Sequence, residues 1–96
     1  MFYVYILQSL NDRKLYIGYS TDLRKRLKDH NSGGTKSTKG RRPFRLVYYE
    51  AHISKNDARR RETYFKTNKG KSSLRQILRN ALASDFIQSR KGHMKL

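Results

Sequence analysis

Two short runs near the N-terminus constrain the fold more than any other feature. Residues 3–9, YVYILQS, alternate and are rich in Tyr, Val and Ile, and residues 14–20, KLYIGYS, repeat that character. Between them lies Asn11-Asp12, a turn-forming pair. Period-two patterning on both sides of a turn predicts a β-hairpin. With Asn11-Asp12 as a two-residue loop, Leu10 faces Arg13 and Tyr5 faces Gly18. Val4, Ile6, Leu15 and Ile17 then share one face, and Tyr3, Tyr5, Tyr16 and Gly18 the other. Tyr5 and Tyr16 become diagonal neighbours, about 7 Å apart. Gly18 opposite Tyr5 leaves room for something to approach the ring.

The pattern downstream is mixed. A helix begins near Ser20 or Thr21, both good N-caps, with Asp22 favourable in the first turn. Leu23 and Leu27 point inward, and Arg26 and His30 lie four apart on the flank of that stripe. Residues 31–42, NSGGTKSTKGRR, read as a long loop without secondary structure, which suggests a functional segment. Arg45 to Ala51, following Pro43, reads as a third strand. Ser54 with Asp57 resembles a capping box and opens a helix through about Thr67, with Ala58, Glu62 and Phe65 on one stripe. Asn68 to Lys71 is read as a break. Ser72 or Ser73 then starts a last helix with Leu74, Ile77, Leu78, Ala81 and Leu82 on its apolar face. Residues 1–83 are expected to form one domain, and the basic tail 84–96 is expected to fray.

Charge points to the partner. The 96 residues include 23 Lys and Arg against 7 Asp and Glu, a formal charge of +16. A domain so basic repels itself, and a polyanion is the usual reason for it. No long basic amphipathic helix with large apolar residues favours a membrane surface, so nucleic acid is the leading partner. The bland alternative is a solvated basic surface. Cysteine is absent, which removes disulfides, thiol catalysis and Cys-based zinc sites. With no apolar stretch of the roughly 18 residues a membrane span needs and no signal-like N-terminus, a cytoplasmic location is expected.

Several residues admit both a structural and a chemical reading. Glu62 lies in DARRRETYFK among Arg59, Arg60, Arg61 and Lys66. It is either an intrahelical ion pair with Lys66 or Arg59, or a carboxylate at the edge of the core that binds a divalent cation. Mg²⁺ often uses one or two carboxylates and keeps several waters, and it would reverse the repulsion between an acid and phosphate. Arg26 is either one more surface cation beside Arg24, Lys25 and Lys28, or a planar fork for phosphate oxygens. His30 is either a contact at the C-terminal end of the helix or a group that moves a proton near neutral pH. The tyrosines of the hairpin either pack, stack on bases, or hold a phenol poised to take a proton from water. Lys36, Lys39, Arg41 and Arg42 are either a solvated linker or a phosphate-tracking loop, with Lys66 and Lys69 as further phosphate contacts.

Taken together these residues resemble the GIY-YIG nuclease family. Tyr3-Val4-Tyr5, ten intervening residues and Tyr16-Ile17-Gly18 look like the paired signature, with YVY in place of a first motif that contains glycine. Ser20-Thr21-Asp22-Leu23 with Arg26-Leu27 and His30-Asn31 is similar to the next motif. Gly33 to Tyr48, with TKGRRPFRLVY inside it, resembles the single-domain bacterial branch, which is related to the nuclease subunit that cuts branched DNA in eukaryotes. Glu62 falls where the family has its metal-binding glutamate. The resemblance covers about residues 2–80.

The resemblance implies an α+β fold, a three-stranded antiparallel sheet flanked by helices. It implies metal-dependent hydrolysis of a DNA phosphodiester in repair or recombination. Tyr5 and Tyr16 are then the paired tyrosines, one of which helps deprotonate the attacking water. Arg26 stabilises charge on the phosphoryl oxygens, and His30 assists proton transfer. Glu62 holds one Mg²⁺ or Mn²⁺, and Asn68 is a candidate for a polar partner after it. Seven acids and no DxD or ExK cluster agree with one metal instead of two. Without a separate specificity domain, weak sequence preference is expected, with branched, nicked or single-stranded DNA favoured and a protein partner possible. The competing readings are a non-catalytic module that binds DNA or RNA, and an unrelated basic RNA-binding protein.

Overall fold

Strand β1 (Phe2–Ser9) occupies the middle of a three-stranded antiparallel sheet, between β2 (Leu15–Ser20) and β3 (Phe44–His52). The computed structural model describes residues 1–83, so the expected tail 84–96 lies outside the described residues. Tyr5 pairs with Gly18 and Ile6 with Ile17, which is the hairpin register that the patterning predicts. The turn itself is wider than two residues. Ser9 and Lys14 close it (N···O 3.0 Å), and Arg13 takes a left-handed conformation (φ 64°). Ser9 Oγ accepts from the amides of Asn11 and Asp12, and Asp12 Oδ1 accepts from Lys14 N, so side chains satisfy the turn. Adding one residue to each side of a loop leaves the register unchanged.

Six consecutive β1 residues, Val4 to Ser9, are buried, because helices cover both faces. The even positions Val4 and Ile6 meet α2 (Lys55–Phe65) and α3 (Asn68–Ile77) in a cluster with Ala58, Phe65, Leu74 and Leu78. The odd positions Tyr5 and Leu7 meet Phe44, with Leu23 and Leu27 of α1 (Leu23–Ser32) packed against them. A bulge in β3 opposite Ile6/Leu7 carries Val47 and Tyr48 together onto the α2 side.

Three boundaries differ from the sequence expectations. The cap of α1 is Asp22, whose side chain accepts from Lys25 N. Ser20 is still in the ladder, and its hydroxyl bridges the backbone of Asp22 instead. Residues 31–42 are not a bare loop: α1 runs to Ser32, Gly33 (φ 84°) ends it, and Lys36–Arg41 form a 3₁₀ helix with Thr38 buried inside. Asn68 to Lys71 is no break, since α3 starts at Asn68. Thr67 caps it by accepting from Gly70 N (3.0 Å) while donating to the Tyr64 carbonyl (2.6 Å). Gly70 is required there, because any Cβ would overlap that carbonyl. Ser54 caps α2 as expected. Ile77, expected on the inner face of the last helix, is 46% exposed. Among the described residues no helix is long and apolar enough to cross a membrane.

Candidate active site

The α1 face of the sheet carries the polar cluster. Tyr5 is buried, and its ring lies across Gly18 of the neighbouring strand, where any Cβ would overlap Cζ and Oη. The space over Gly18 is thus taken by the Tyr5 ring, not left open for an incoming group. Crossing Gly18 directs the phenol to His30, with Oη 2.9 Å from Nε2. His30 is fully buried, one turn beyond Arg26 on α1. Its Nδ1 lies 2.8 Å from Thr38 Oγ1.

Hydrogen-bond accounting assigns the tautomer. The Thr38 hydroxyl donates its single proton to the Thr35 carbonyl (3.3 Å), so it accepts from His30 Nδ1–H. Nε2 then holds the lone pair, and the Tyr5 hydroxyl donates to it. Burial, reinforced by the charge of Arg26, pushes the His30 pKa down, which favours this neutral imidazole. Aromatic edges enclose the ring. Tyr16 is centred 4.9 Å from His30 and 6.3 Å from Tyr5, and Phe44 is centred 5.8 Å from His30.

Two charges reach the same phenol. Burial raises the Tyr5 pKa, Arg26 opposes that shift, and the Tyr16 and Glu62 charges add to it. Arg26 hydrogen-bonds to Tyr5, and its Nε is buried without a partner. Glu62 belongs to α2, which packs on the other face, yet its charge is felt at Tyr5.

Glu62 realises the ion-pair reading with both candidates. Oε1 accepts from Arg59 (3.2 Å) and Oε2 from Lys66 (3.1 Å). Arg59 also stacks over Tyr19 at 4.0 Å. The donor chemistry nonetheless suits a hard cation. The carboxylate is 14% exposed, and the cations on it are 54% and 55% exposed. Among the described residues no group of three or more His, Cys, Asp or Glu side chains could hold a metal ion. Glu62 would thus hold only an ion whose remaining shell is water and phosphate, as Mg²⁺ accepts.

Tyr5, Tyr16, Arg26, His30 and Glu62 are thus brought within electrostatic reach of one hydroxyl. The basic segment is arranged differently from a free loop. Arg41 pairs with Asp12 (2.9 Å), donates to the Leu15 carbonyl and lies over Phe44 at 5.6 Å, so it fastens the 3₁₀ helix to the hairpin turn. Arg41 holds the Asp12 carboxyl down to a pKa of about 2. Arg42 caps the Lys39 carbonyl (2.8 Å). Lys36 and Lys39 remain exposed, as do Lys69 and Asn68 on the first turn of α3, and Lys66 is engaged by Glu62. Thr38 and Phe44 are site residues that sequence reasoning missed. A Thr among Lys, Ser and Gly carries no signal of burial, and Phe44 reads only as the start of a strand. A hollow of about 600 Å³ between the hairpin and α3 is lined by none of these residues.

Residues 1–76 match the family model for the GIY-YIG catalytic domain. The chain belongs to the GIY-YIG family. It is 48% identical over 71 residues to a UPF0213 protein of Streptococcus pyogenes, covering 73% of this chain and 76% of that one. A UPF0213 protein of Clostridium perfringens is 49% identical over 67 residues, 69% of this chain and 71% of that one. The solution structure of a UPF0213 protein from Bacillus halodurans aligns with a TM-score of 0.51 at 44% identity, covering 80% of this chain and 85% of that one. The family is a nuclease family, and the α+β architecture agrees with that structure. In GIY-YIG terms, the paired signatures sit on β1 and β2 in the register that lays Tyr5 over Gly18.

Proposed function

We propose that the protein is a divalent-metal-dependent endonuclease. It hydrolyses DNA phosphodiester bonds with weak sequence preference, acting in the cytoplasm on branched, nicked or single-stranded DNA in repair or recombination. One observation carries the reading: the Tyr5 hydroxyl donates to a buried, neutral His30, while the charge of Arg26 beside that phenol opposes the rise that burial gives its pKa. Water that meets Tyr5 Oη gives up its proton there as the phenol proton passes to His30 Nε2. This route lets a phenol with a raised pKa assist a base-catalysed step without first ionising. Thr38 keeps the imidazole in the accepting tautomer. Arg26 brings its guanidinium charge beside Tyr5, where it stabilises the charge that accumulates on a phosphoryl oxygen. Glu62 is the residue that would hold Mg²⁺ or Mn²⁺, which supplies charge neutralisation at the phosphate when bound. Lys36, Lys39 and Lys69 are exposed to take backbone phosphates, which position DNA without reading its sequence.

A second reading, a basic module that binds DNA or RNA without cutting it, rests on the engagement of both Glu62 oxygens by cations. A cleavage assay on branched, single-stranded and duplex DNA with Mg²⁺, Mn²⁺ or EDTA separates the two. The nuclease reading expects metal-dependent cleavage that Glu62→Ala abolishes while DNA binding persists. Binding without cleavage under every condition selects the module.

A further inference from the structure

Beside the polar cluster lies a cleft that the proposed chemistry does not use. It has a volume of about 410 Å³ and is lined by Tyr3 and Tyr49, by Leu23 and Leu46, and by Thr21, Asp22 and Arg24. That volume is typical of clefts for small ligands, roughly 300–1,000 Å³. Tyr49 is directly across the ladder from Tyr5, so their Cβ atoms are about 4.5–5.5 Å apart on one face. Tyr3 is two residues from Tyr5 on the same strand and face, and its ring meets Tyr49 edge-on with centroids 6.0 Å apart. Tyr49 is 50% exposed, unlike the fully buried Tyr5. Packing explains Tyr3 but leaves half of a large aromatic side chain facing solvent on an edge strand. An aromatic platform beside Arg24, on a chain of charge +16, is complementary to a nucleobase joined to phosphates. A base inside a duplex is stacked on both faces and cannot reach it.

We propose that Tyr49, braced by Tyr3, is a stacking platform for one unpaired base of the strand being cut, with Arg24 on a flanking phosphate. The inference rests on the nuclease reading and deepens it, since it assigns a preference for single-stranded DNA to a particular surface. Asp22, which also borders the cleft, caps α1 through Lys25 N, and its negative charge offsets part of the positive charge that Arg24 brings.

The test is fluorescence anisotropy with a labelled single-stranded oligodeoxynucleotide and a blunt duplex of the same sequence, in EDTA so that nothing is cut. Stacking on one aromatic side chain changes affinity by roughly 5- to 150-fold. Tyr49→Ala is therefore expected to weaken single-strand binding about tenfold or more. Tyr49→Phe keeps it, and duplex binding is unchanged in both. An oligonucleotide carrying 2-aminopurine at successive positions is expected to show one quenched position, with quenching lost in Tyr49→Ala. Equal single-strand affinity for wild type, Tyr49→Leu and Tyr49→Ala overturns the platform while leaving the nuclease reading intact. Equal weakening of single strand and duplex overturns it as well, since that marks a general contact. Wild-type protein that binds no DNA removes both. Unchanged thermal midpoints for Tyr49→Phe and Tyr49→Leu show that lost binding is not lost fold.

Discussion

The two faces of the sheet are built from alternate residues of one strand, yet they do different work. Val4 and Ile6 meet Ala58, Phe65, Leu74 and Leu78, an aliphatic and aromatic contact, with buried Gln8 at the end of the same face bonded to Arg45 and the Arg13 carbonyl. Tyr5 and Leu7 look the other way into Tyr16, Phe44, His30 and Thr38, where a hydrogen-bonded chain runs from phenol to imidazole to hydroxyl. The first face can gain stability from every buried methylene. The second must satisfy each buried polar atom merely to avoid a penalty, and it still leaves Arg26 Nε without a partner. The difference teaches where strength and chemistry are separated in a chain of only 96 residues.

Truncation on each face is the strongest way to break that comparison. Phe65 is fully buried between α2 and the sheet, so Phe65→Ala is expected to cost about 3–5 kcal/mol in urea unfolding. Cleavage per folded molecule should hardly change. Tyr5→Phe keeps the ring over Gly18 and leaves His30 Nε2 unpaired, a cost of about 1–3 kcal/mol. Its cleavage rate should fall about 10²- to 10⁴-fold. If Tyr5→Phe proved the more destabilising of the two while staying active, the division between the faces would be wrong.

Thr38→Val sharpens the comparison within the polar face. The change keeps the volume and removes the acceptor of His30 Nδ1–H, at an expected cost of about 1–3 kcal/mol. Thr38→Ser should recover most of it. The imidazole ¹⁵N shifts report the tautomer directly, and a wild-type spectrum with the proton on Nε2 would reverse the assigned proton route.

Legibility in the sequence follows the same division. The hairpin register was readable because period-two alternation admits few pairings, and a loop longer by one residue on each side preserves them. The Ser54 cap was readable from a local pattern. The positions misread are those that tertiary contact decides. Thr67 and Gly70 start α3 where propensity suggests a break, because α3 must cross the end of α2 closely. Lys36–Arg41 winds into a 3₁₀ helix because Arg41 is tied to Asp12 and Thr38 is drawn under His30. In the candidate site, the residue types and spacing were visible. That His30 lies buried behind Tyr5 and not at the surface was not, since a helix flank position has no burial signal of its own.

Acidification acts on the two faces in different windows. His30 has a folded pKa below its ordinary 6.5, so it binds a proton more readily unfolded. Its contribution is complete above about pH 6.5 and is lost as pH falls below that value. Glu50, on the α2 side, is held at a pKa of about 2 by Arg61, with His52 and Tyr48 also donating to it. That contribution is present above the unfolded value of 4.5 and disappears as pH falls towards 2. Unfolding free energy measured in urea from pH 8 to 3 should decline in two stages. His30→Gln should remove the first, and Glu50→Gln the second.

The smallest expected effect concerns the cations paired with Glu62. Lys66 is 55% exposed, so its pair with Glu62 is worth only about 0.2–0.5 kcal/mol, and Lys66→Ala should leave stability nearly unchanged. A cation that binds Glu62 must first displace the ammonium from Oε2. Removing that competitor should tighten Mn²⁺ binding about 1.5- to 2.5-fold, the same energy seen from the other side. Proton relaxation enhancement by Mn²⁺ measures it without any reaction. Arg59→Ala should add a comparable increment through Oε1, and it also removes the stack on Tyr19. Glu62→Ala should abolish binding in every background. Mn²⁺ affinity that ignores Lys66, Arg59 and Glu62 alike would place the metal elsewhere, and Glu62 would then be a helix ion pair whose charge reaches Tyr5 without serving it.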